Sequence, residues 1–131
     1  MSEAERADAL VLFGATGDLS RKKLYPALYH LAAGDRLHIP VIGVAAAGWD
    51  DEKLCSYAAD AMQASSEHCD AGAVRQVLDR LTMVDGDYRD AATFQTLADV
   101  LKRAGSERPL HYLAIPPSLF ETVVQGLGAS H

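Results

Sequence analysis

Two glycines placed directly after a short apolar run constrain the fold of this 131-residue chain more than any other feature. The run Ala9–Phe13 contains only apolar side chains, which predicts a strand buried on both faces. A helical pattern begins a few residues later, so the intervening segment has to turn sharply from strand to helix. Positions without a Cβ allow such a turn and let a phosphate group approach the backbone at the helix N-terminus. We therefore predict an anion-binding segment, called the glycine turn, composed of Gly14, Ala15, Thr16, Gly17, Asp18 and Leu19.

The rest of the chain alternates β-rich runs with helical patterns. Leu24, Leu28 and Leu31 recur at helical spacing until Gly34, and Asp50 is placed to cap a second helix. Strands are predicted at residues 9–13, 40–45, 82–84 and 110–115, and further helical patterns at 54–62, 74–81, 94–105 and 119–127. Strands separated by helices imply right-handed crossovers and a mostly parallel sheet. We therefore expect one dinucleotide-binding domain over residues 1–131, an α/β fold of the Rossmann-like, doubly wound type with helices on both faces of the sheet.

Charge and cysteine content argue against several other classes of protein. The chain has 18 acidic and 12 basic residues and a formal net charge of −6, which argues against nucleic acid as a partner. The polar N-terminus is unlike a signal peptide, and no apolar stretch approaches the length of about 20 residues that a membrane span needs. Cys55 and Cys69 lie in separate helical stretches and are best explained as thiols in a reducing compartment. The histidines lack metal-ligand spacing, so we predict no metal site, no membrane partner and a cytoplasmic location.

The spacing within the glycine turn leaves its family open, and the residues that follow narrow the choice. The spacing is GxxG rather than GxGxxG, with Ser20 in place of a third glycine, and similar turns occur in short-chain and extended dehydrogenases. An Asp-Leu pair, a basic triplet at residues 21–23 and a Tyr-Pro pair at residues 25–26 come next. This combination resembles the N-terminal signature of glucose-6-phosphate dehydrogenases. Segments at residues 41–45, 86–88 and 112–117 are similar to the same family in the same order.

The resemblance implies a role for each part of the site. It implies that the glycine turn lies under the diphosphate of NADP or NAD, and that Lys23 reaches the sugar phosphate of the substrate. It also implies that the nicotinamide pocket is lined by three residues at the exit of the fourth strand, Ala114, Pro116 and Pro117. Structural explanations remain open for the same residues: helix capping by Thr16 and Asp18, a solvated helix face for the basic triplet, and a sharp strand exit for the prolines.

One position departs from the family pattern. After the second strand the family commonly carries an Arg that binds the 2′-phosphate of NADP, and Ala46 stands at the matching position. Neither Asp nor Glu occurs there, so the usual ligand of the NAD ribose is also missing. Alanine cannot replace the charge-assisted hydrogen bonds of a guanidinium. We therefore predict weakened discrimination in favour of NADP and dual use of NAD and NADP.

The resemblance implies an enzyme, an NAD(P)-dependent oxidoreductase that converts glucose 6-phosphate to 6-phosphogluconolactone in the pentose phosphate pathway. In the family, proton removal from the sugar belongs to an Arg-Ile-Asp-His-Tyr segment beyond a Glu-Lys-Pro-Phe-Gly motif. Neither segment occurs in these 131 residues, so we assign no catalytic residue and expect the C-terminal catalytic domain to be absent. The chain is expected to bind coenzyme without turnover, and the full-length form to be a homo-oligomer.

Two other interpretations stay open at this point. A fragment of an extended short-chain-type dehydrogenase shares the glycine turn, but it predicts a Tyr-x-x-x-Lys pair after the fourth strand, and that spacing is absent. A non-catalytic sensor, which binds NAD(P) and reports redox state, fits the same turn. A reading frame that continues past His131 into a Glu-Lys-Pro motif would exclude the sensor.

Overall fold

The computed structural model describes residues 7–65 and 68–129; residues 1–6, 66–67 and 130–131 lie outside that part. Its strands form one four-stranded parallel sheet in the order β3-β2-β1-β4. The strands are β1 Ala9–Phe13, β2 Val41–Ala45, β3 Leu81–Asp85 and β4 Pro109–Leu113. The helices are α1 Tyr25–Ala33, α2 Asp51–Ala64, α3 Ala71–Asp79, α4 Ala91–Arg103 and α5 Phe120–Ala129, with a π-helical segment Ser20–Leu24 before α1 and a 3₁₀ turn Pro117–Leu119 before α5.

The strand order reverses its direction of winding between β1 and β4. From β1 the chain passes through α1 to β2 and through α2 and α3 to β3, and then returns through α4 to pair β4 with the other edge of β1. Helices cover both faces of the sheet, and β1 lies between β2 and β4. This arrangement confirms the predicted doubly wound α/β fold, and it leaves a crevice at the switch point beyond the carboxyl end of β1.

Each face of the sheet carries its own apolar core. On one face, Leu12 of β1 packs in a cluster with buried side chains of α1, α2 and α3, including Tyr25 and Leu54. On the other face, Phe13 packs with Phe94 of α4 and other buried residues of the second cluster. Successive residues of a strand face opposite sides, so a continuous apolar run such as β1 supplies both cores at once.

Several predicted boundaries differ from the structure by a few residues, and two of these differences have a clear physical reason. Leu81 was predicted to end a helix, but α3 ends at Asp79, and Leu81 opens β3 paired with Val41. Its spacing from Val77 is helical, yet its side chain is buried as a strand residue in the same core. The fourth strand ends at Leu113 rather than at residue 115, because the chain bends there toward Pro116 and the following 3₁₀ turn.

The helix after the glycine turn contains a proline, which the fold accommodates by widening the preceding turn. Pro26 is the second residue of α1, and it has no N–H to donate to the carbonyls before it. The amide of Tyr25 donates to the carbonyl of Ser20, five residues back, which is the π-helical pattern. The widened turn lets the helix continue past the proline without a break.

Candidate nucleotide-binding site

Gly14 follows the last residue of β1 in a conformation that glycine adopts far more easily than other residues. Its φ is +85°, and a Cβ at this position would lie 2.2 Å from the carbonyl oxygen of Ala114. The amide of Ala114 in turn donates to the carbonyl of Phe13 at 2.9 Å. The start of the glycine turn and the exit of β4 therefore touch, and they form the floor of the crevice at the switch point.

Three side-chain hydroxyls bind the carbonyl oxygens of the glycine turn. Those hydroxyls belong to Ser20, Tyr25 and Tyr57, which donate to the carbonyls of Gly14 at 2.8 Å, Ala15 at 2.6 Å and Gly17 at 3.1 Å respectively. Ser20 and Tyr25 are fully buried, and burial raises the pKa of Tyr25, so its phenol stays a proton donor. The carbonyls are thereby held by the helices behind the turn.

A fourth hydroxyl, from the loop after β3, bonds the ends of two strands. The hydroxyl of Tyr88 accepts from the amide of Gly14 at 2.8 Å and donates to the carbonyl of Val44 at 2.9 Å. Burial raises the pKa of Tyr88, so this phenol also stays protonated. The Tyr88 ring packs edge-on against Phe13, with ring centroids 5.8 Å apart. The sequence marked the segment containing Tyr88 as similar to a family segment, but it gave no indication of this bond.

The helix after the glycine turn begins with backbone donors. The amide of Gly17 donates to Gly14, and the amide of Arg21 makes the first helical hydrogen bond, to the carbonyl of Gly17 at 3.1 Å. The amides of residues 18–20 therefore precede the first helical donor, the amide of Arg21, and they carry the positive end of the helix dipole. No side chain makes a capping hydrogen bond at this start within the described residues, and the Asp18 carboxylate instead lies 3.6 Å from the exposed ammonium of Lys22.

The three basic residues after the turn have different environments. The guanidinium of Arg21 lies over the ring of Tyr57, 5.4 Å from its centroid, and Lys22 pairs with Asp18. Lys23 is exposed, and no ion pair of it occurs among the described residues. Of the triplet, Lys23 is the residue for which neither an ion pair nor a ring contact occurs within residues 7–65 and 68–129.

The loop after β2 is held by a carboxylate from the neighbouring strand. Ala46 is exposed, and the next two amides, those of Ala47 and Gly48, both donate to Oδ1 of Asp85, at 2.9 and 2.7 Å. Asp85 is the last residue of β3 and pairs with Ala45 in the sheet. Sequence reasoning missed Asp85, which it treated as a turn residue.

The remaining predicted site residues also lie at the carboxyl end of the sheet, but the side chain of one of them belongs to the core. Ala114 is half-buried, and Pro116 and Pro117 are exposed at the exit of β4, where the carbonyl of Pro116 accepts from the amide of Leu119 at 2.9 Å. Ala15 is fully buried and packs toward Gly43 of β2, so its side chain belongs to the core. The fold thus brings the glycine turn, Ala46 and the proline segment to the carboxyl ends of three adjacent strands.

The described part of the chain contains neither a candidate metal-ligand group nor a candidate membrane span. There, no group of three or more His, Cys, Asp or Glu side chains is arranged to hold a metal ion. No helix in residues 7–65 and 68–129 has the length and apolarity to span a membrane.

A parallel sheet with a glycine turn at its switch point and helix amides facing that crevice defines a Rossmann-like nucleotide-binding domain. Residues 11–131 match the family described as the NAD binding domain of glucose-6-phosphate dehydrogenase. The chain therefore belongs to the glucose-6-phosphate dehydrogenase family, as the sequence resemblance indicated. The extended short-chain alternative does not account for this match.

Individual relatives agree with the family. The chain is 36% identical over 121 residues to glucose-6-phosphate 1-dehydrogenase 1 of Mycobacterium tuberculosis, covering 92% of this chain and 25% of that protein. It is 34% identical to the Dickeya dadantii glucose-6-phosphate 1-dehydrogenase, covering 97% of this chain and 26% of that protein. The crystal structure of the Mycobacterium avium enzyme superposes with a TM-score of 0.89 at 37% identity, covering 95% of this chain and 27% of that one. The chain thus spans about a quarter of the length of the relatives that it matches.

Proposed function

We propose that this chain is the coenzyme-binding part of a glucose-6-phosphate dehydrogenase and binds NADP or NAD at the glycine turn. The contact between Gly14 and Ala114 carries the proposal, because it leaves backbone rather than side chain on the floor of the crevice. A diphosphate placed there meets the helix N-terminal amides, which a dinucleotide site of this fold requires. The relatives that the chain resembles are glucose-6-phosphate 1-dehydrogenases, which supports the same conclusion.

The proposed roles follow from the positions of the residues. The turn residues 14–19 bind the diphosphate through their backbone, and Ala46, at the end of β2, lies beside the adenosine ribose. Ala114, Pro116 and Pro117 form the wall beside the nicotinamide, and the two proline rings stiffen that wall. Lys23 contacts the phosphate of the sugar substrate, because its ammonium suits a dianionic phosphate ester.

The reaction proposed for the complete enzyme is oxidation of glucose 6-phosphate to 6-phosphogluconolactone, with hydride transfer from C1 of the sugar to the coenzyme, as a step of the pentose phosphate pathway. The coenzyme accepts the hydride, and a base has to remove the proton of the C1 hydroxyl. The Arg-Ile-Asp-His-Tyr segment that the family uses for this step does not occur in the 131 residues. The chain alone is therefore proposed to hold coenzyme without turnover.

The cellular location and the partners are proposed from the cysteines and the charge of the chain. Cys55 and Cys69 are half-buried free thiols, which favours a reducing compartment and supports a cytoplasmic location. Homo-oligomerisation is proposed only for the full-length form, because the contacts of the glycine turn do not bear on how subunits associate. Neither nucleic acid nor a membrane is proposed as a partner, because the net charge is −6 and Lys and Arg are the residues that neutralise phosphates.

Coenzyme titration with two glycine variants tests the proposal. A Cβ at position 17 would meet only the carbonyl oxygen of Gly14, at 3.4 Å, so Gly17→Ala is compatible with the fold while placing a methyl group where the diphosphate approaches. We expect the dissociation constant for NAD or NADP, measured by calorimetry, to rise about tenfold or more, a loss of about 1.4 kcal/mol.

The matched control is Gly128→Ala, because nothing lies within 4 Å of a Cβ at that position in α5. This variant should bind coenzyme as the unmodified chain does. The proposal is wrong if the unmodified chain binds neither coenzyme, or if Gly17→Ala binds as tightly as Gly128→Ala.

A further inference from the structure

The carboxylate of Asp85 accepts hydrogen bonds from the backbone amides that follow β2. Its Oδ1 accepts from two consecutive amides, those of Ala47 and Gly48, at 2.9 and 2.7 Å. Gly48 has a φ of +70°, which turns this part of the loop back toward β3. Two amides that converge on one oxygen form an anion-binding arrangement, and here a side chain of the chain itself fills it.

The Asp85 carboxylate lies beside the end of β2, and in a dinucleotide-binding fold that strand end contacts the coenzyme. The adenosine ribose lies beside the carboxyl end of the second strand, and residues there read its 2′ position. Asp85 pairs with Ala45, the last residue of β2, and Ala46 follows directly. Asp85 is therefore placed at the edge of the ribose site, an assignment that rests on the proposed function.

The charges around this loop are mostly negative. The loop residues 46–49 carry no basic side chain, and the carboxylates of Asp50 and Asp51 accept hydrogen bonds from the amides of Lys53 and Met83. The ammonium of Lys53 lies over the Trp49 ring, 5.6 Å from its centroid. A 2′-phosphate arriving here would find no guanidinium at residue 46, and the two loop amides are already bound to a carboxylate.

We infer that Asp85 determines coenzyme selection and makes this chain prefer NAD over NADP. NADP differs from NAD by the 2′-phosphate, and Asp85 opposes that group in two ways. It places a negative charge beside the phosphate, and it withholds the amides of Ala47 and Gly48 from the phosphate oxygens. NAD presents a neutral 2′-hydroxyl and meets neither obstacle. The preference goes beyond the dual use that Ala46 alone predicts.

The substitution Asp85→Asn separates the charge from the loop geometry. An amide oxygen can still accept from both backbone amides, so the loop keeps its anchor while the negative charge is removed. For the unmodified chain we expect a dissociation constant for NAD at least about tenfold lower than for NADP. In Asp85→Asn the constant for NADP should fall about tenfold, while the constant for NAD stays within about threefold.

The control is Asp79→Asn, which removes the same charge from α3 at an exposed ion pair with Arg75. It should leave the ratio of the two dissociation constants unchanged. A measurement without any variant adds a second test: raising the salt concentration should bring the NADP constant of the unmodified chain closer to the NAD constant, because salt screens the repulsion.

The outcomes separate the two proposals. If the unmodified chain binds neither coenzyme, the proposed function fails, and the inference about Asp85 fails with it. If NAD binds but the ratio of constants is the same in the unmodified chain and in Asp85→Asn, coenzyme binding stands and the role of Asp85 is overturned. A purely structural role for Asp85 would weaken both coenzymes equally and leave the ratio unchanged.

Discussion

The hydroxyl of Tyr88 accepts a hydrogen bond from the amide of Gly14 at 2.8 Å, across 74 positions of sequence. The same hydroxyl donates to the carbonyl of Val44. One side chain from the loop after β3 thus reinforces the junction between the ends of β1 and β2, where the amide of Gly14 also donates to the carbonyl of Val44 at 3.0 Å. The glycine turn starts at this junction, so its position depends on a residue that lies far from it in the chain.

Tyr88→Phe is expected to destabilise the fold and weaken coenzyme binding together. The variant removes the donor to Val44 and one acceptor of the Gly14 amide, at a cost of about 1–2 kcal/mol in the free energy of unfolding. Urea denaturation measures the stability, and calorimetric titration measures the affinity. Tyr112→Phe is the control, because Tyr112 is exposed on β4, and it should change neither quantity. Equal stability of the two variants would show that the Tyr88 hydroxyl contributes nothing.

Ser20→Ala tests whether the side chain of Ser20, which stands in place of a third glycine, stabilises the glycine turn. Its buried hydroxyl donates to the carbonyl of Gly14 at 2.8 Å, and alanine leaves that bond unmade. We expect a loss of about 1 kcal/mol in the free energy of unfolding and weaker coenzyme binding. Ser56→Ala, at an exposed position of α2, should stay within about 0.5 kcal/mol of the unmodified chain. A Ser20→Ala chain as stable as Ser56→Ala would contradict this role.

We expect Asp8 to make the stability of the chain sensitive to acid. A hydrogen bond from the Ser106 hydroxyl, together with those from the amides of Glu107 and Arg108, lowers the pKa of the Asp8 carboxyl below its usual value of 3.8. Because the folded pKa lies below the unfolded one, the stabilisation is complete above the unfolded value and is lost as pH falls through the folded pKa. Urea denaturation at neutral pH and at about pH 3 measures the loss of stability.

The variant Asp8→Asn should show a smaller loss of stability between those two pH values, since it has no carboxylate to protonate. Asp60→Asn, exposed on α2, serves as the control and should keep the acid sensitivity of the unmodified chain. If Asp8→Asn is as acid-sensitive as Asp60→Asn, the contacts of Asp8 do not account for the effect.

The fourth prediction is that the chain alone does not catalyse the reaction. The chain mixed with glucose 6-phosphate and either coenzyme should produce no reduced coenzyme, because the segment that removes the C1 proton in the family is not among its residues. Ultraviolet absorbance of the reduced coenzyme follows the reaction, and a full-length relative such as the Mycobacterium tuberculosis enzyme provides the positive control. Turnover above the rate without protein would contradict the proposal.

Much of the fold could be predicted from local patterns in the sequence. The continuous apolar run of β1 and the N-cap Asp50, which accepts from the amide of Lys53 at 2.9 Å, are features that neighbouring residues determine. Leu81 was assigned wrongly because its spacing continued the pattern of α3 while its burial belongs to β3. Periodicity alone cannot distinguish these cases when a helix ends two residues before a strand begins.

The site was predictable only in part. The glycines of the turn are recognisable because backbone geometry restricts which residue fits, as the contact of Gly14 with Ala114 shows. The hydroxyl of Tyr57 and the carboxylate of Asp85 reach the site from 40 and 37 positions away, and a polar or aromatic residue carries no sign of such a partner in the sequence. The roles assigned to Lys23 and to the turn residues remain predictions.

The hydroxyls that hold the carbonyls of the glycine turn have a consequence for the kinetics of binding. Because folding itself orders this segment, a ligand does not have to immobilise a loose loop, and the entropic cost of that ordering is absent from its affinity. Association should then proceed in a single bimolecular step without a slow rearrangement. The proposed diphosphate site is thus preorganised by the interior of the protein before a coenzyme binds.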